Sequence, residues 1–267
     1  MINGELTTTP ETRHGINPAN GHSNPPVPLS RPEDLDKAVS AAKAAQKSWA
    51  KTSIEVREKY LTDYANELET HVDEFATLLT AEQGKPTFLA QDEVRRTATL
   101  IKTLSTLRIN EELLEGMEDK TAIVRYVPIG VCCGLIPWNY PLALQWVKIA
   151  SAVITGNTII VKPSPETPYC GLKSVELATR FFPKGVVQVL SGGPELGIWC
   201  TSHPGIDMIS FTGSVATGKK VMESCGKTLK RVTLELGGND AAIVCEDADI
   251  ALAVPPVRFK SIDNVSF

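Results

Sequence analysis

The spacing of apolar residues changes about halfway along this 267-residue chain. In the first half it is helical. From Ser30, "SRPEDLDKAVSAAKAAQKSWA" places Leu35, Val39, Ala42 and Trp49 on one stripe. Ser30 is the expected cap, and Glu33, three residues on, would complete a capping box. A second helix is predicted from about Ser53, with Leu61, Tyr64, Leu68, Val72, Phe75 and Leu79 in phase and Gly84 as its stop. A third is predicted over roughly 87–114. Residues 1–29, rich in Asn, Gly, Pro and Thr, read as loop with short strand pieces. "TAIVRYVPIG", Thr121 to Gly130, reads as a strand and turn.

From Val131 onward the apolar residues gather into short runs: "VCCGLI", "TIIV" (158–161), "VVQVL" (186–190), "MISF" (208–211) and "RVTLEL" (231–236). Such runs suit parallel strands buried on both faces. Helical patterns separate them. The alternation predicts an α/β fold: an open, twisted, mainly parallel sheet with flanking helices and right-handed crossovers. In the last run Val232, Leu234 and Leu236 alternate with Thr233 and Glu235, which places a carboxylate in a half-buried strand just before Gly237 and Gly238. Glu235 is then either a surface residue of an edge strand or a base that needs a dry setting.

In sheets of this kind ligands lie beyond the carboxyl ends of the strands. Here those ends carry "PWNYP", "KPSPETP", "SGG", "TGSVATGK" and "GGND". Gly213 and Ser214 precede a helix, where free N–H groups and the helix dipole attract an anion such as a pyrophosphate. Lys162 could hold a ribose hydroxyl or a phosphate, or simply snorkel to the surface. Asn139 lies in a loop fixed by Pro137 and Pro141. Its amide could donate to a developing oxyanion, worth on the order of 3 kcal/mol in a dry site, or it could be a turn residue.

Composition narrows the classes. With 42% hydrophobic and 22% charged residues the chain is ordinary for a soluble protein. A net charge of −4 offers no basic face, which argues against nucleic-acid and membrane partners. "MINGELTTTP" lacks a secretory signal, and the apolar stretch Ile149 to Val161 is too short to span a bilayer. The six cysteines include no C-x-x-C pair and the four histidines are scattered, so neither a disulfide framework nor a metal site is expected, and the cytosol is the default compartment. Cys132, Cys133 and Cys245 fall in or at the end of apolar runs and are expected to be inert core thiols.

Taken together, "GLIPWNYPL", "GNTIIVKPSPETP", "FTGSVATGK" and "LELGGND", with "INPANG" and "AEQGKP" upstream, resemble the aldehyde dehydrogenase superfamily over nearly the whole chain. The resemblance implies oxidation of a small-molecule aldehyde to an acid with NAD or NADP. A cysteine thiolate attacks the aldehyde, Asn139 holds the oxyanion, and Glu235 activates the water that releases the acid. It further implies Lys162 at the adenosine ribose, Gly213 and Ser214 at the pyrophosphate, Ile136 and Trp138 along the cofactor channel, Gly237 close to the cofactor, and Ser164 among the cofactor-binding residues. Many NAD-preferring relatives carry a carboxylate three residues after the lysine. Here Pro165 stands there and Glu166 follows it, which leaves NAD and NADP open. Asn239 and Asp240 likewise depart from the lysine-containing version of the last motif.

The nucleophile implied by the resemblance sits in a G-Q-x-C segment near position ~269, where none of the six cysteines stands. The expected organisation is a dinucleotide-binding domain over 1–250 with its N-terminal helices, an oligomerisation arm at about 115–130, and the start of a catalytic domain at 251–267. Inactivity of this chain by itself is expected. The resemblance implies a homodimer or homotetramer. Two rival readings are a non-catalytic NAD(P)-binding partner of full-length subunits and a short-chain reductase using Tyr169 and Lys173 at Y-x-x-x-K spacing. The second lacks any G-x-G-x-x-G.

Overall fold

The structure, a computed structural model, describes residues 1–114, 121–239, 241 and 243–254. Two short strands, β1 (Thr12–Arg13) and β2 (Val27–Pro28), pair antiparallel ahead of four helices, α1 (Pro32–Trp49), α2 (Ile54–Thr70), α3 (Val72–Gln83) and α4 (Thr87–Ser105). A hairpin of β3 (Glu112–Leu114) and β4 (Ala122–Val124) follows. Then come β5 (Val131–Leu135), α5 (Pro141–Ile154), β6 (Thr158–Lys162), α6 (Pro168–Ala178), β7 (Val187–Val189), α7 (Pro194–Ser202), β8 (Met208–Gly213), α8 (Val215–Gly226) and β9 (Arg231–Leu236).

The last five strands form one wholly parallel sheet in the order β7-β6-β5-β8-β9. The chain starts in the middle, winds outward to β7, then returns to the other side of β5. The order therefore reverses between β5 and β8, the crevice where α/β sheets bind ligands. Both faces of the inner strands are covered. Cys132, Ile159, Val161, Val187 and Val189 join a core with α2 to α6, in which Tyr64 stacks on Trp146 at 3.8 Å. Cys133, Ile160, Ile209 and Phe211 face the other way, onto Leu35, Val39 and Ala42 of α1, Leu196 and Cys200 of α7, and Val221 of α8. Period-2 alternation thus sorts neighbouring residues into two cores.

Three predicted boundaries move, and one burial expectation fails. Helix α1 is capped at Arg31, not Ser30, and the carboxylate accepting the cap N–H is Asp34 at 3.0 Å, not Glu33. Pro32 causes the shift: it presets the first helical φ and holds the preceding residue extended, at φ −102° and ψ 169° for Arg31. Ser30 instead donates its N–H to the carbonyl of Ser191 at 2.9 Å. The single second helix is two, broken at His71 (φ −106°, ψ 22°). The apolar stripe runs in phase across the break, so periodicity does not reveal it. There the Thr70 hydroxyl donates to the Glu67 carbonyl at 2.8 Å, and the ring of His71 sits between Glu67 and Glu74. Gly84 does end the stretch, in the left-handed region at φ 81°. The third helix stops at Ser105 rather than 114. Ser105, Thr106 and Arg108 side chains satisfy its last carbonyls, and the chain turns into β3. The failed burial expectation is that of Cys245, which is exposed and lies in no strand.

Of the arm predicted at about 115–130, residues 115–120 lie outside the described residues, as do Asp240 and 255–267; the described hairpin begins at Glu112. Among the described residues no helix is long and apolar enough to cross a membrane, and no cluster of His, Cys, Asp and Glu could hold a metal.

Candidate cofactor and active site

Strand register brings the candidate residues to one edge of the sheet. Leu135 of β5 lies opposite Lys162 of β6 on one side and Phe211 of β8 on the other. Thr212 pairs with Glu235 and Gly213 with Leu236. Neighbouring strands are about 4.8 Å apart, so Lys162 and Glu235, at the ends of β6 and β9, and Asn139 and Ser214, just beyond β5 and β8, stand at four adjacent strand tips of the same edge. Ile136 extends β5 by donating its N–H to the Lys162 carbonyl at 3.0 Å.

The β5 loop is held tightly. Ile136 is buried, and Trp138, Asn139 and Tyr140 are half-buried. The carboxamide oxygen of Asn139 accepts the Tyr140 N–H at 3.0 Å, which leaves the NH2 end as the side chain's donor toward a ligand. Its backbone carbonyl accepts from Lys85 Nζ at 3.2 Å and from Gln83 Nε2 at 3.4 Å. Lys162 is buried, with Nζ donating to the Pro163 carbonyl at 3.3 Å, and burial pulls its pKa down. Beside it Ser164, also buried, is in close contact with the carboxylate of exposed Glu166.

At the β8 tip, Ser214 caps α8. Its Oγ accepts the Thr217 N–H at 3.3 Å. Gly213 is buried, and a Cβ there would come within 2.5 Å of the Phe211 ring. Only glycine leaves the backbone open at this tip. The hydroxyl of Thr212 is buried with no hydrogen-bond partner among the described residues. The open backbone at Gly213 and the N-terminus of α8 together could receive a phosphate-sized anion, while Thr212 shares the strand face of Ser210, toward α5. Gly218, one turn into α8, lets the helix lie against β9; a Cβ there would meet the Leu236 side chain at 2.5 Å.

Glu235 is not in a dry setting. Strand β9 is an edge strand whose inward residues Val232 and Leu234 are only partly buried, and Glu235, Leu236, Gly237 and Gly238 are exposed. The reason is local: nothing among the described residues covers the outer edge of β9 or its tip. Of the two readings, this is the edge-strand one for burial, though the carboxylate still stands at the shared strand edge.

Lys148, which sequence reasoning passed over, is a further charged group at this site. It sits on α5, buried, donates to Ser210 Oγ of β8 at 2.9 Å and feels the charge of Glu235. Burial brings its pKa down to about 8, against the upward pull of Glu235. The signal was a lone lysine inside the apolar stretch "LQWVKIASAV". Tyr169 and Lys173, the reductase pair, lie on α6 with Lys173 bound to Glu176 at 2.8 Å.

Five of the six cysteines are enclosed and offer little nucleophilicity. Cys132, Cys133, Cys170, Cys200 and Cys225 are buried. Burial raises the Cys132 thiol to about 12, and a hydrogen bond with Cys200 together with burial raises Cys133.

Comparison with known proteins places this arrangement. Residues 6–265 match the profile of the aldehyde dehydrogenase family. The aldehyde dehydrogenase LUC3 of a Fusarium species is 41% identical over 257 residues, 96% of this chain and 54% of that protein. Succinate-semialdehyde dehydrogenase [NADP(+)] GabD of Escherichia coli is 37% identical over 261 residues, 95% of this chain and 54% of GabD. Among solved structures, an NADP-dependent enzyme of E. coli superposes with a TM-score of 0.95 at 36% identity, covering 98% of this chain and 56% of that one. The NAD+ complex of a Bacillus cereus aldehyde dehydrogenase superposes with a TM-score of 0.92 at 35% identity, covering 95% and 54%. The chain spans about half the length of the relatives it matches. The strand-tip motifs, the parallel sheet and the near-complete match converge: this chain belongs to the aldehyde dehydrogenase family.

Proposed function

We propose that this chain holds NAD or NADP and contributes two reacting groups to the oxidation of a small aldehyde to its acid. The observation that carries the reading is the gathering of Asn139, Lys162, Ser214 and Glu235 along one edge of a parallel sheet, at its order reversal. Lys162 and Ser164 would hold the adenosine ribose. Gly213 and Ser214 would hold the pyrophosphate, the charge of which suits the start of α8. Ile136, Trp138 and Gly237 would line the nicotinamide side. The cofactor, when bound, supplies a hydride acceptor.

The chain's own residues would do the rest. The Asn139 NH2 donates to the aldehyde oxygen as negative charge develops on it. Glu235 takes a proton from the water that releases the acyl group. Lys148, with its pKa brought down to about 8 by burial, is a further cation whose charge Glu235 feels. The buried cysteines are unsuited to the covalent step, and we assign that step to none of the six. An oligomerisation role for the segment around β3 and β4 and a cytosolic setting complete the proposal.

The test is a fluorescence titration of the purified 267-residue chain with NADH and with NADPH, beside an assay with NAD(P)+ and a short aliphatic aldehyde. Saturable binding of at least one nucleotide without aldehyde turnover is expected. K162M should weaken that binding about tenfold, as for one lost charge-assisted hydrogen bond. Absence of saturable binding to either nucleotide would overturn the reading. Aldehyde turnover would overturn the assignment of the covalent step.

A further inference from the structure

Lys85 lies in the link Gly84–Pro86 between α3 and α4, apart from every strand tip, yet it reaches the β5 loop. Its ammonium donates to Glu93 Oε2 at 2.6 Å and to the Asn139 carbonyl at 3.2 Å, and lies 3.6 Å from the centre of the Tyr140 ring. The other oxygen of Glu93 accepts the N–H groups of Leu142 at 3.1 Å and Ala143 at 3.2 Å. Those are the first N–H groups of α5 after Pro141, which has none. Lys85 and Glu93 are 7% and 2% exposed, so both charges have left water.

A buried ion pair is a weak source of stability, because desolvation offsets the attraction and apolar groups of similar volume often do as well. This pair is bonded to the backbone at both ends of a short loop. The cation holds the carbonyl of Asn139 and the face of Tyr140; the anion holds the helix that follows. An oxyanion donor is effective only when fixed to within about 0.5 Å of its working position. We infer that Lys85, through its ion pair with Glu93 and its bond to the Asn139 carbonyl, is a positioning residue that fixes the Asn139 amide for oxyanion stabilisation. This rests on the role given to Asn139 above.

K85M alone leaves Glu93 charged and unpaired in the core and is liable to misfold. The informative variant is K85M/E93Q, in which neutral side chains of similar volume replace both charges and the carboxamide that replaces the Glu93 carboxylate keeps an oxygen for the α5 cap. The readout is 15N relaxation of the full 267-residue chain, following the backbone amides of Asn139 and Tyr140 and the Asn139 NH2 pair, the last assigned with N139D. In the parent protein the backbone order parameters should lie near the rigid value of about 0.85; in K85M/E93Q they should fall below about 0.6. The indole signal of buried Trp146 should stay in place, showing an intact core. Dinucleotide affinity should change less than about twofold, because Lys162 and Ser214 are untouched; a role in general folding would lower both together. Unchanged order at Asn139 in the folded double variant overturns the inference, as does a fall that extends across the α5 core. Failure of the parent chain to bind NADH or NADPH would instead strike the cofactor reading and leave this relaxation result standing.

Discussion

Lys148 is the residue whose chemistry departs furthest from its sequence surroundings. It is a buried cation on an apolar helix, tied to Ser210, with its pKa drawn down from 10.5 to about 8 by burial. In the unfolded chain it keeps its proton to higher pH than in the fold. Between pH about 8 and about 10.5 the unfolded state therefore binds more protons, and the folded state gains stability as pH rises. Denaturant melts of the parent and K148M across that window should show the parent gaining on the variant; parallel curves would refute the shift. Sequence alone located Asn139, Lys162 and Ser214, because each follows an apolar run and stands among Pro or Gly residues that mark a loop. It missed Lys148, Glu82 and Glu93, because their positions look like parts of helical stripes, and Lys85, which lies in the link between α3 and α4 and finds its partners only in the fold. Glu93, for example, falls in the same buried row as Leu89, Ala90, Val94 and Ile101. A charge at a stripe position is legible only as an anomaly, and its partner comes from another element.

At the scale of elements, one device occurs twice. Helices α5 and α6 both open with Pro at the first helical position, and both have their next two N–H groups bound by a glutamate from the N-terminal helices. Glu93 serves α5. Glu82 of α3 serves α6, accepting from Tyr169 at 2.7 Å and Cys170 at 2.9 Å. Burial lifts the Glu82 pKa from 4.5 to about 7 in spite of those two bonds. The folded state then holds a proton that the unfolded state has released between those values, so stability contributed by Glu82 falls as pH rises from about 4.5 to about 7. The difference in stability between parent and E82Q should change in that direction across the same range; a flat difference would contradict it. Another contact joins α8 to β9, where Gly218 meets Leu236. G218V should overfill it and cost about 1–3 kcal/mol, visible as a lower melting temperature with Ser214 and Val221 left in place. The strands, their parallel sheet and the helical stretches could be read from the sequence because buried runs and stripes are strong signals; the strand order came only from the structure. Apart from the Gly84 stop, helix ends could not be read: Pro32 moved one cap, Thr70 and His71 interrupted a stripe that stayed in phase, and hydroxyl side chains closed α4 early.

Over the whole molecule, coverage of the sheet is uneven. Strands β5, β6 and β7 are buried, and Met1 pairs with Val189 across the outer edge of β7, with N–H···O distances of 3.0 and 3.2 Å. Strand β9 has no such neighbour among the described residues, and Leu236, Ile243, Val244, Ile250 and Leu252 beyond and along it are exposed. Exposed apolar side chains in such number mark a surface that favours association. The same unevenness governs the thiols. Cys132 and Cys133 are consecutive but point into opposite cores, Cys170, Cys200 and Cys225 are also enclosed, and Cys245 alone of the six meets solvent. An alkylating reagent such as iodoacetamide should add a single mass increment to the native chain and six after denaturation. Intermediate adduct numbers in the mass spectrum would show which layer of the protein opens first, so the chain carries its own built-in gauge of integrity.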